Sequence, residues 1–315
     1  MRQRRAIIAL AVCVLLGISV VAFWPGPKEP EYNGKKLSEW LDVYDLQYLN
    51  DHGKEVVERE QPAAADALQH IGTNALPWLV KWIKHEPPAW KDRIAGFIEK
   101  IPSRTIARWY VEGDRLGFGA VEGFKLLGPK AAPVVPKLEK IVKGSRARFS
   151  QDWAIEALSY IGKDAFPVLL DTLENPKANF DAARAICRLA QHGVDIGPAI
   201  PALLLMDRQT EEDEKKFNQS NGRTYHTGYD YVLDGLLLDN RLLLIPALTN
   251  CLYHSNNDVR VEAAKALGRL GPAARQAVPA LKEALDIRVI AVQEAAINAL
   301  EKIAPEVLSN DLKGL

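Results

Sequence analysis

The stretch Asp258-Val259-Arg260-Val261-Glu262-Ala263-Ala264-Lys265-Ala266-Leu267-Gly268-Arg269-Leu270-Gly271-Pro272 places Ala263, Ala266, Leu267 and Leu270 eight, five, four and one residues before Gly271. Those spacings fall on one face of an α-helix. The pattern recurs at Ala67-Leu68 to Ile71-Gly72, Gly123-Phe124 to Leu127-Gly128, Ala157-Leu158 to Ile161-Gly162, Ala185-Ile186 to Leu189-Ala190 and Ala299-Leu300 to Ile303-Ala304. Each copy has an alanine eight residues before its last position: Ala64, Ala120, Ala154, Ala182 and Ala296. A decayed copy runs from Gly235-Leu236 to Asp239-Asn240. The small residues let a neighbouring helix approach, Leu and Ile supply buried area, and the closing glycine suits a left-handed position after the helix.

A second signal follows. Pro77, Pro136, Pro167, Pro201, Pro246 and Pro279 each have a leucine two positions on: Leu79, Leu138, Leu169, Leu203, Leu248 and Leu281. Proline is accepted in a helix's first turn, where its missing N–H costs nothing. Each unit therefore reads as helix A, a turn, and helix B opening at proline. No stretch alternates with the two-residue period of a half-buried strand. The fold class is all-α.

The period and the wording from Asp258 to Pro272 resemble HEAT-like repeats of the bacterial, bilin-lyase-like type, over roughly residues 62–304. The resemblance implies a right-handed α-α superhelix, a HEAT/armadillo-like solenoid of about six to seven helix pairs. It also implies that Arg260 faces the neighbouring turn in a structural role. Asp258 is expected to cap helix A. The phrase from Tyr32 to Leu41, with Ser38 as expected N-cap, looks like the lead-in to HEAT-like repeats in exported proteins of planctomycete-type bacteria. It would form a cap over residues 37–61, with Trp40, Leu41 and Tyr44 covering the first repeat. Two intervals exceed the period: one near 84–118, with a helix from Trp90 to Lys100 and a second short one before Gly113, and one at 207–230. Residues 305–315 are a tail.

Ahead of the array, Ala6 to Trp24 is uncharged over nineteen residues and follows Arg2, Arg4 and Arg5. At 1.5 Å per residue a helix of that length spans about 28 Å, close to a hydrocarbon core. An uncleaved anchor with its N-terminus inside, or a signal peptide cut after Ala22, both put the repeat domain outside the cytoplasm. Residues 25–36 are then a linker. The 40 basic and 40 acidic side chains sum to zero; without residues 1–24 the count is 37 against 40, a formal −3. That balance argues against nucleic acid as partner. Cys187 and Cys251 each lie in an apolar stretch and are expected as buried small hydrophobes.

The six histidines stand nowhere at metal-ligand spacing, and no phosphate loop or nucleophile elbow occurs. No catalytic residue, cofactor or metal is expected, and the chain is not expected to be an enzyme. The partner is expected to be a protein, met by the exposed side of helix B four residues after each proline: Lys81, Lys140, Asp171, Leu205, Asn250 and Glu283. The series runs from basic to acidic along the chain. Trp78 and Trp82, with Lys81 and Lys84, could add an aromatic basic patch, and the 207–230 insertion offers Tyr225, His226 and Tyr229. The expected function is a protein-interaction scaffold, tethered to or exported across the membrane. The alternatives are an enzyme or lyase-like accessory module using the insertion, and a cell-envelope sugar binder using the Trp-rich end.

Overall fold

In the computed structural model, residues 28–44, 51–84, 104–145, 148–221 and 241–307 are described. The apolar run from Ala6 to Trp24 lies outside them. Among the described residues no helix is long and apolar enough to cross a membrane.

A small hairpin comes first. β1 (Glu31–Tyr32) pairs antiparallel with β2 (Lys35–Lys36), Tyr32 opposite Lys35. Asn33 and Gly34 carry φ of 49° and 76°, the two positive values that a tight hairpin turn demands and that Asn-Gly supplies cheaply. The hairpin is the one departure from all-α among the described residues. Helix α1 (Leu37–Leu41) follows directly, and its N-cap is Lys36, not Ser38. The Lys36 N–H donates to Glu39 Oε2 at 2.8 Å, and the Ser38 N–H donates to the Glu29 carboxylate. Acidic side chains thus satisfy the open N–H groups that a serine hydroxyl was expected to hold.

The array then alternates. The A helices are α2 (Asp51–Ile71), α4 (Arg104–Leu127), α6 (Arg148–Ile161), α8 (Asn179–Gln191), α11 (Asn257–Leu270) and α13 (Ile290–Ile303). The B helices are α3 (Leu76–Ile83), α5 (Val135–Gly144), α7 (Phe166–Thr172), α9 (Ile200–Asn221), α10 (Arg241–Cys251) and α12 (Val278–Leu285). Successive A helices pack on one another, as α4 on α6 and α11 on α13, and each of α3, α5, α7, α10 and α12 packs on the A helix that follows it. Neighbour-on-neighbour packing of this kind builds one continuous core from units that could not bury their faces alone. The alanines Ala64, Ala120, Ala154, Ala182, Ala263 and Ala296 are all fully buried, and so are the six leucines that follow the prolines.

Close approach is built on missing side chains. A Cβ on Gly268 would lie 3.2 Å from Ala299 Cα, and one on Gly123 would lie 2.8 Å from Leu79 Cδ2. The closing glycines do take positive φ, but Gly162 (98°, ψ −150°) and Gly271 (57°, ψ −141°) sit outside the left-handed helical well. That backbone is open essentially to glycine alone.

Four local expectations are corrected. Pro246 lies inside α10, which begins at Arg241, so that B helix does not open at its proline. No second short helix precedes Gly113, because α4 runs unbroken from Arg104. The N-cap of α11 is Asn256, whose Oδ1 accepts from the Asp258 N–H at 2.8 Å. Asp258 is thereby free to pair with Arg208. Trp82 is the fourth: its side chain is only 7% exposed, in the core. Arg260 does face a turn, donating to the His254 carbonyl and, at 2.9 Å, to Asn257 Oδ1.

Candidate functional site

Helix B presents to solvent what its register leaves over. With the leucine two after each proline buried, the residue two further on points outward, and Lys81, Lys140, Asp171, Asn250 and Glu283 are all exposed while Leu205 is half-buried. Lys84 is exposed as well. The aromatic patch expected around Trp78 and Trp82 reduces to Trp78, half-buried, with Lys81 Nζ 4.7 Å above its ring. Trp82 packs 6.2 Å from it on the inner side. Tyr225, His226 and Tyr229 lie outside the described residues.

Some of these side chains are tied to the next repeat. Lys143 Nζ is 2.8 Å from Asp171, linking α5 to α7, and the Tyr253 hydroxyl donates to Glu283 at 2.9 Å, linking the end of α10 to α12. The glutamate raises the Tyr253 pKa by holding the phenol's proton. The 207–230 insertion begins as an extension of helix B, α9 running to Asn221. It is pinned to α11 by Arg269 to Asp207 at 2.9 Å and by Arg208 to Asp258, with Arg208 also 3.0 Å from Glu212.

Between B helices lie open grooves. One of about 370 Å³, between α3 and α5, is lined by Lys84, Lys137 and Lys140 over Val80 and Ile141. One of about 1020 Å³, between α7 and α9, has Leu170, Leu173, Leu205 and Met206 at its base and Asp171, Glu174 and Asp213 among its lining residues. Lys137, Glu174 and the apolar bases escaped the sequence reading, which followed a single position per helix, while Asp213 falls within the 207–230 insertion. Lys137 stands one turn before Lys140, so widening the stripe by one turn would have found it.

A third cavity, of about 810 Å³, sits at the A-to-B turns and holds Tyr160, Phe166, His192 and Val194. Tyr160 lies under the Arg188 guanidinium at 4.7 Å, and burial raises its pKa. The thiols of Cys187 and Cys251 are pushed up to about 12 and about 11 by burial, which leaves them protonated and poor nucleophiles at neutral pH. Among the described residues no group of three or more His, Cys, Asp or Glu side chains is placed to hold a metal ion.

These stacked pairs, with small residues at the A–A contacts and proline opening most B helices, have their counterpart among known repeats. Residues 245–315 match the HEAT repeats family. The matched segment takes in α11, α12 and α13, the part of the array where the sequence pattern is least interrupted. No curated protein matches the chain. A solved structure described as an engineered protein is 21% identical over 84% of this chain and 96% of its own, with a TM-score of 0.22, too low to argue fold from. HEAT repeats generally serve as scaffolds for protein–protein interaction.

Proposed function

We propose that the chain is a non-catalytic protein-binding scaffold, wound as a right-handed superhelix with the B helices on its concave side. In this reading Ala6 to Trp24 tethers it to the cytoplasmic membrane, or is removed after Ala22, and the array lies outside the cytoplasm. The observation that carries the binding assignment is the B face itself, where exposed charged side chains stand over apolar groove floors between successive helices. Such floors gain from being covered, and the charges around them select what covers them. A sugar platform at the Trp-rich end would need exposed indole faces, and Trp82 buries its own.

The test is affinity isolation of the full chain from detergent-solubilised envelope, alongside Lys140→Glu, Asn250→Arg and a deletion of residues 209–228. Loss of a specific partner with the point variants supports the B face. Identical partners with all three would overturn it. Intact mass settles the anchor: a mass beginning at Phe23 means cleavage, and a full-length mass in the membrane fraction means a tether.

A further inference from the structure

The two B-face grooves carry opposite charge, cleanly segregated. Three ammonium groups, Lys84, Lys137 and Lys140, line the α3/α5 groove, and among the described residues no carboxylate lines it. None of the three has an ion-pair partner among the described residues. The α7/α9 groove has the opposite lining: Asp171, Glu174, Asp213 and His254 stand around leucine and methionine side chains, and among the described residues no lysine or arginine lines it. Gathering like charges without counter-charge raises the energy of the folded state. In the acidic groove Lys143 bridges Asp171 and Lys216 lies 3.8 Å from Asp213, so two of its three carboxylates already have a partner. Among the described residues, Lys84, Lys137 and Lys140 in one groove and Glu174 in the other are left without an ion-pair partner.

We propose that the two grooves together take one extended segment of a partner protein, its acidic end on the lysines and its basic, leucine-bearing end on the carboxylates. This rests on the protein-binding reading above and specifies the partner's chemistry. The grooves are two helix steps apart. Helices pack about 8–10 Å from one another, so the centres are about 20 Å apart, which an extended chain at about 3.3 Å per residue crosses in about six residues. The segment is therefore bipolar, with charge clusters centred about six residues apart. Met206 in the floor adapts to whichever apolar side chain enters.

The experiment measures fluorescence anisotropy with the full chain in mild detergent and synthetic labelled peptides. One peptide has a three-glutamate cluster and a Lys-Leu-Lys cluster centred six residues apart; a second has the same composition with charges alternating. The expected result is at least tenfold tighter binding of the bipolar peptide, weakening as salt rises. Lys84→Glu/Lys137→Glu/Lys140→Glu should lose that preference and prefer a peptide whose glutamates are replaced by lysine. Lys84→Gln/Lys140→Gln, a milder change at exposed positions, should weaken binding without the reversal. Equal binding of both peptides, or no binding at millimolar concentration, overturns the proposal. Binding to phosphatidylglycerol vesicles that is lost with the triple variant, without peptide binding, also overturns it by assigning the lysines to a lipid surface. If the peptides fail while partner capture still depends on the B face, the scaffold reading stands and only the bipolar segment is lost.

Discussion

Lys143 on α5 holds its Nζ 2.8 Å from Asp171 on α7 and equally close to Glu139 on its own helix. Hydrogen bonding to Asp171 and then Glu139 raises the lysine's pKa, so it stays charged through any physiological pH. All three side chains are well exposed, and water screens such a pair heavily. Lys143→Ala is therefore expected to leave the thermal midpoint unchanged within error in calorimetry. A clear fall would make the bridge a structural tie between repeats instead of a charge setting at the acidic groove.

Leu169 and Leu281 are fully buried two residues after their prolines. Replacing either with alanine is expected to cost about 2–5 kcal/mol in urea unfolding, as core truncations that leave a cavity do. The two lie in separate repeats, so the double variant should be nearly additive if the array unfolds as one unit. Near-neutral effects at both would sink the register assigned to helix B.

Gly117 on α4 lies under the indole of Trp153 on α6, and a Cβ there would come within 2.3 Å of Trp153 Cζ3. Alanine ordinarily favours a helix over glycine by about 1 kcal/mol. Here the clash outweighs that preference, and Gly117→Ala is expected to destabilise by about 1–3 kcal/mol. A double-mutant cycle with Trp153→Leu checks the cause. The penalty of Gly117→Ala should largely vanish in the leucine background, and its persistence would locate the strain elsewhere.

Burial raises Cys187 to about 12 and Cys251 to about 11 from the ordinary 9.0. A thiol whose folded pKa is raised keeps its proton after the unfolded chain has lost it, so unfolding releases protons above about pH 9. Stability from these groups is full below that pH and declines as pH rises toward the folded values. Two measurements follow: the urea midpoint should fall between pH 9 and 11, less steeply in Cys187→Ala/Cys251→Ala, and iodoacetamide at pH 8 should label the native thiols far more slowly than the denatured ones. Equal labelling rates would contradict their burial.

The repeat was legible because its signal is local. Ala263, Ala266 and Leu267 define one helix face by spacing alone, and the same spacing at Ala64, Ala120, Ala154, Ala182 and Ala296 predicted five further residues that, like Ala263, are fully buried. The candidate face was legible only in part. Lys140, Asn250 and Glu283 are exposed as the helix B register predicted. Trp82 was misplaced because an indole serves a core and a surface equally well, and only packing in the assembled core decides which way it turns. The caps failed for a related reason: Ser38 and Asp258 are good capping residues, but Glu29, Glu39 and Asn256 reached the open N–H groups first.

What the sequence by itself determined is the alternation of A and B helices, the identity of their buried faces and the direction of the exposed stripe. Those follow from the 3.6-residue period and from side-chain size, which need no knowledge of neighbours. Only the tertiary structure decided that three lysines from two helices share one groove, that Asp171 belongs at once to a bridge and to an acidic groove, and that α9 is fastened to α11 through Asp207 and Arg208. Each depends on the rotation and offset of one helix against another, and packing between repeats fixes those quantities while the repeat pattern within each leaves them open.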